Sequence, residues 1–188
     1  MKKKCLLFCG PSGSGKTTVV HHLLQQFDKL RFSVSATTRP RRTTEVDGVD
    51  YHFMSIEEFR KAIDNQRFVE WEEVYDGRYY GTLKSEVERL LQQGYHPVFD
   101  VDVIGGIHLK EYFGPNMLAV FVHAPNRQAL EDRLKKRGTE SEETLDIRIK
   151  KAEQELSYRD RFDKVLVNTH LRETCTEAEN LVKNFLSL

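Results

Sequence analysis

Short apolar runs alternate along this chain with longer stretches in which apolar residues recur every three or four positions. Residues 4–9 (KCLLFC), 98–103 (VFDVDV), 117–124 (MLAVFVHA) and 163–168 (DKVLVN) are continuous enough to be strands buried on both faces. RFSVS, 31–35, is a shorter strand of the same kind. After the first run, KTTVVHHLLQQF sets Val19, Val20, Leu23, Leu24 and Phe27 at helical spacing. Further helices are predicted over 84–94, ending at Gly94, and over 126–138 and 141–160, joined by the polar turn GTES. An amphipathic helix over 176–188 closes the chain. Strands alternating with helices predict an α/β fold around a central parallel sheet.

The texture changes between 36 and 82. ATTRPRRTTEVDGVDYHFMS is polar, basic and punctuated by Pro40 and Gly48. Ser55 and Glu58 form a capping box ahead of a short helix, IEEFRKAIDNQ, and RFVEWEEV and GRYYGT read as strands joined at YDG. This is a mixed, strand-rich insertion into the α/β core, within a single domain spanning 1–188.

At 188 residues, 39% hydrophobic and 31% charged, the composition is that of a globular protein. The 29 basic and 29 acidic side chains cancel, so no global field favours nucleic acid or an anionic membrane, and neither is expected as a partner. The apolar run behind MKKK is too short for a secretory signal, and none approaches the ~20 residues of a membrane span. Cys5, Cys9 and Cys175 make an odd set without CxxC spacing, which suggests reduced thiols and a cytoplasmic location. Cys5 and Cys9 are expected on one strand face, as small hydrophobes.

With no global charge, any anion site must be local, and GPSGSGKTT supplies one. Gly10, Gly15, Lys16 and Thr17 satisfy G-x-x-x-x-G-K-[ST] between a strand and a helix. In such a loop backbone N–H groups cradle phosphates, Lys16 reaches the β- and γ-phosphates, and the Thr17 hydroxyl ligates Mg²⁺. Asp100 and Asp102 are expected side by side at the C-terminal end of a buried strand, Asp100 to hold the Mg²⁺ shell or the lysine loop and Asp102 to face an acceptor. The competing reading is that one of the pair caps the following GG turn. Arg133 and Arg137 share a helix face and Arg148 returns on the next helix, suited to closing over phosphates, although Glu131–Lys135 and Asp132–Lys136 fit an ordinary solvated face equally well.

The insertion supplies a second site. Arg39, Arg41 and Arg42, with Tyr51, Tyr79 and Tyr80, suit another phosphate. Glu70 sits among apolar neighbours, where an unpaired carboxylate is costly. Guanine offers the donors it needs, N1–H and N2–H₂ side by side, whereas adenine presents an acceptor at N1. Hydroxyls of Ser35 and Thr82 would donate to guanine O6. A salt bridge to a neighbouring arginine is the alternative for Glu70.

GPSGSGKTT, FSVSATTRPRR, DGVDYHF, FVEWEEV, YYGT, FDVDV, RGTESEETLDIR and VLVN, in this order, resemble the guanylate kinase family over essentially the whole chain. The resemblance implies a P-loop NTPase three-layer fold, with core 1–35, 83–133 and 149–188, a GMP-binding insertion at about 36–82 and a helical lid at about 134–148. It implies ATP + GMP ⇌ ADP + GDP, also with dGMP, using Mg²⁺. The ATP site would comprise Gly10, Pro11, Ser12, Gly13, Ser14, Gly15, Lys16, Thr17 and Thr18 with Arg133, Arg137 and Asn168, the last near the adenine. The GMP site would comprise Ser35, Arg39, Arg42, Glu45, Tyr51, Glu70, Tyr80, Gly81, Thr82 and Asp102. Lys16, Arg42, Arg137 and Arg148 would stabilise the transferring phosphoryl, and Thr17 and Asp100 would hold the metal. Thr44, where the family usually has glycine, and Ile104, where it usually has glutamine, depart from the pattern. The alternatives are a non-catalytic guanylate-kinase-like interaction module, which would typically lack the intact loop, and a P-loop kinase of another small phosphorylated acceptor, which would not need Glu70.

Overall fold

The structure, a computed structural model, describes residues 4–75, 77–136 and 142–187. Its elements run β1 (Cys5–Cys9), α1 (Lys16–Gln26), β2 (Leu30–Phe32), β3 (Ala36–Thr37), β4 (His52–Phe53), α2 (Ile56–Asp64), β5 (Phe68–Tyr75), β6 (Arg78–Leu83), α3 (Lys84–Gln92), β7 (His96–Asp100), α4 (Val103–Phe113), β8 (Met117–His123), α5 (Arg127–Lys136), α6 (Glu142–Leu156), β9 (Lys164–Val167) and α7 (Leu171–Leu186). Five strands form one sheet in the order β2-β7-β1-β8-β9, every pairing parallel.

β1 sits at the middle of that sheet, and its alternation builds both apolar layers. Leu6 and Phe8 join Val19, Leu23, Ala178 and Val182 of α1 and α7 on one face. Cys5, Leu7 and Cys9 join Val103, Ile107 and Phe162 on the other, so the two cysteines do share a face. All three thiols are free and buried, and burial pushes the Cys5 thiol up to about 12. No helix among the described residues is long and apolar enough to cross a membrane.

The second sheet is mixed, in the order β4-β3-β6-β5, and folds over α2. Phe59 of α2 stacks on Phe68 and Tyr79 at centroid distances of 4.3 and 5.4 Å. The capping box forms: the Ser55 hydroxyl accepts from Glu58 N–H and the Glu58 carboxylate accepts from Ser55 N–H. It holds α2 in place with a contribution of about 1 kcal/mol.

Three sequence expectations change. RFSVS is not one strand: Phe32 ends β2 in the first sheet, and Ala36 starts β3 in the second. The run VFDVDV does not stay extended to its end. β7 stops at Asp100, because the Asp102 side chain accepts from Gly105 N–H and starts α4. α4 buries Val103, Gly105, Gly106, Ile107 and Leu109, and its exposed face mixes Ile104 and Tyr112 with His108 and Glu111, so no clean polar stripe announces it. Finally, Tyr79 belongs to the core over α2 rather than to a phosphate site: it is 5% exposed, with Arg60 donating to its hydroxyl at 3.1 Å.

Candidate active site

Residues 10–18 leave the C-terminal end of β1 and enter α1, where a strand end and a helix start face one crevice. β1 pairs with β7 so that Phe8 lies opposite Asp100, which sets that carboxylate beside the loop. Thr17 donates its hydroxyl to Asp100 Oδ2 at 2.7 Å, and Lys16 Nζ stands 3.6 Å from Oδ1. The two residues expected to hold a metal are therefore together, with the lysine beside them.

Gly15 caps α1 at φ 92°, in the left-handed region, and a Cβ there would fall 2.2 Å from Asn168 Nδ2. Glycine is required on both counts. Asn168, 3% exposed, donates its amide to the Ser14 carbonyl at 2.9 Å and accepts from the Thr174 hydroxyl at 3.3 Å. Its own carbonyl accepts from Arg133 Nη2 at 2.7 Å, while Arg133 Nη1 reaches the Ser14 carbonyl at 3.4 Å. Asn168, expected near the adenine, and Arg133, expected beside the ATP phosphates, thus both lie against the loop at Ser14, with the Asn168 amide engaged within the protein. Arg148 Nη1 donates to Ser12 Oγ at 3.3 Å. Arg137 lies outside the described residues.

A second cluster stands on the mixed sheet. Arg39 grips Glu45 with both terminal nitrogens, one at 2.7 Å, and Glu45 also accepts from Arg42 N–H at 2.8 Å. Those hydrogen bonds hold the Glu45 carboxyl down at about 2. The Arg39 guanidinium lies 4.9 Å over the Tyr51 ring, which meets Tyr80 edge-on at 6.0 Å. Arg39, Glu45, Tyr51 and Tyr80 are one assembly, with the Arg42 side chain exposed at its rim.

Glu70, on β5, is 8% exposed. Its Oε1 accepts from the Thr82 hydroxyl at 2.6 Å across the β5–β6 pair, where Glu70 and Thr82 are in register and Gly81 precedes. The hydroxyl proton expected at guanine O6 is therefore spent on Glu70. Burial pushes the Glu70 carboxyl up to about 7, the Thr82 bond opposes that shift, and the Asp102 charge adds to it. Ser35 is half-buried, its carbonyl accepting from His52 N–H at 2.9 Å. Asp102 caps α4 through Gly105 N–H at 2.9 Å, so the capping alternative applies to it.

Sequence reading passed over Glu72. Burial and the Asp102 carboxylate push it up to about 8, and it lines a cleft of about 620 Å³ with Asp102, Ile104, Lys151, Glu155 and Tyr158. The signal was present: in a strand, Glu70 and Glu72 face the same side.

A guanylate kinase family profile matches residues 2–185. A guanylate kinase of Bacteroides thetaiotaomicron is 47% identical over 187 residues, covering 100% of this chain and 92% of that protein. The chain belongs to the guanylate kinase family. A guanylate kinase of Porphyromonas gingivalis is 48% identical over 175 residues, 93% of each chain. The crystal structure of guanylate kinase from Anaplasma phagocytophilum matches at a TM-score of 0.75 and 27% identity, over 96% of this chain and 85% of that one. Of the two departures from the family pattern, Thr44 is exposed and Ile104 is in the first turn of α4, on the wall of the cleft beside Asp102.

Proposed function

We propose that the chain transfers the γ-phosphoryl group of ATP to GMP or dGMP, with the division of labour expected from the sequence. Guanylate kinase is its activity, and ATP and GMP are its substrates. The phosphate loop at 10–18 binds ATP, with Arg133 and Asn168 fixing the loop. Thr17 and Asp100 offer hard oxygen donors 2.7 Å apart, which fits Mg²⁺ shared with the phosphates. Such an ion, when bound, neutralises charge on the β- and γ-oxygens.

The GMP phosphate is held by Arg39, Arg42, Tyr51 and Tyr80. The bond between Arg39 and Glu45 supports that role, because a guanidinium already locked in place gives up less freedom on binding. Lys16, Arg42, Arg137 and Arg148 stabilise charge on the group in flight, and catalysis is positioning and neutralisation without a covalent intermediate. The insertion at 36–82 and the lid at 134–148 close over both nucleotides and exclude water. Three buried, free thiols support a reducing compartment, the cytoplasm.

The observation that carries the acceptor assignment is Glu70: a carboxylate 8% exposed whose hydrogen bonds among the described residues come from Thr82 alone. Guanine N1–H and N2–H₂ complete it. A coupled assay of ADP formation across GMP, dGMP, IMP and AMP tests this. GMP and dGMP should be used well, IMP less and AMP scarcely. Equal use of AMP and GMP would leave only a P-loop kinase of unknown acceptor.

A further inference from the structure

Gly105 occupies an ordinary helical position, and glycine is a poor helix former there. Its backbone does not take a positive φ, so conformation does not call for glycine. Space does. A Cβ at 105 would lie 2.9 Å from Glu70 Oε2, 3.2 Å from Asp102 Oδ1 and 3.5 Å from Glu70 Cδ. Asp102 is held in place by its cap bond to Gly105 N–H at 2.9 Å. Glu70 is tethered through its other oxygen to Thr82 at 2.6 Å. The neighbouring Gly106 is different: a Cβ there would meet only Leu7, Cys9 and Phe162, at 3.3–3.4 Å. Two adjacent glycines thus face different things, one a carboxylate and the other the apolar layer.

We propose that Gly105 is a positioning residue for acceptor selection: with no side chain there, the Glu70 carboxylate seats against the opening turn of α4 with both oxygens aligned for two adjacent N–H donors of the acceptor base. The proposal rests on reading Glu70 as the group that pairs with guanine. A methyl group at 105 pushes Oε2 away while Oε1 stays on Thr82, rotating the carboxylate out of bidentate register. GMP, which uses both oxygens, loses more than IMP, which offers one N–H.

The test compares Gly105→Ala and Gly106→Ala with the parent, measuring kcat/KM for GMP and IMP, KM for ATP, and thermal melting. A GMP:IMP ratio is independent of the active fraction, so a purely structural role would not move it. Gly105→Ala should lower the ratio about tenfold, the size of one lost polar contact. Its KM for ATP should stay at the parent value. Gly106→Ala, whose Cβ would meet only apolar side chains, should keep the parental ratio whatever it does to the melting temperature. In a Glu70→Gln background, adding Gly105→Ala should leave the ratio unchanged. A parental ratio in Gly105→Ala, an equal drop in both backgrounds, or failure of Gly105→Ala to fold would each overturn the proposal. A parent that uses IMP as well as GMP would instead remove the guanine reading beneath it.

Discussion

Replacing Glu70 with glutamine should make the protein more stable and less active, and the stability gain should depend on pH. Burial raises the Glu70 carboxyl from 4.5 to about 7 in the folded protein. Between those values the folded chain holds a proton that the unfolded chain has released. Stability therefore falls as pH rises, by about 1.4 kcal/mol per pH unit, and the loss reaches about 3 kcal/mol by pH 8. Glutamine keeps the shape and can still accept the Thr82 hydroxyl, but has no charge to bury. In urea titrations Glu70→Gln should match the parent near pH 4 and exceed it by about 3 kcal/mol at pH 8. Its amide would also turn a donor toward guanine's donors. Two buried donors left unpaired cost about 2–6 kcal/mol, or a factor of ~30 to ~10⁴ in kcat/KM for GMP. A stability difference that stays flat from pH 5 to 8 would refute the burial argument, and undiminished use of GMP would refute the pairing.

The remaining expectations concern the loop, the arginine on α6 and the acid limb of activity. Lys16→Ala should lower kcat by ~10²–10³ in the ADP-release assay with the circular dichroism spectrum unchanged, the usual loss for one charge-stabilising contact. Arg148→Ala should reduce kcat more than it raises KM for GMP, since a contact to moving charge strengthens in the transition state; a change in melting temperature alone would count against it. Asn168→Asp, which turns an acceptor toward the Ser14 carbonyl, should raise KM for ATP and destabilise by about 1–3 kcal/mol in denaturant. For the parent, kcat/KM for GMP should fall about tenfold per pH unit below about 7, because protonated Glu70 loses an acceptor; a flat profile from pH 5 to 7 would contradict this.

What was legible in the sequence is what periodicity and short-range chemistry encode. β1, β8 and β9 are continuous apolar runs, and the loop behind β1 is a pattern of fixed spacing, so these elements and Lys16 and Thr17 could be placed in advance. Asp100 followed from its position at a strand end. α4 could not be read, because Ile104 and Tyr112 stand on its exposed face and two glycines on its buried one, so polarity does not mark the stripe. β3 and β4, each two residues long, exist only through pairing with distant partners. Thr82 was expected to donate to an acceptor base, and only tertiary geometry decides that its proton goes to Glu70. Asn168 likewise gave no local hint of its bond to Ser14.

That last bond also bears on when the site comes into being during synthesis. Asn168 and Ser14 are 154 positions apart. β1, which carries the loop, is flanked by β7 and β8, both made long after it. At ~5–20 residues per second, the loop leaves the ribosome about eight to thirty seconds before the residue that clamps it. Over that interval the chain carries an intact nucleotide motif without a formed binding site. A message interrupted before codon 168 would yield fragments that a motif search scores as kinases and a nucleotide column does not retain.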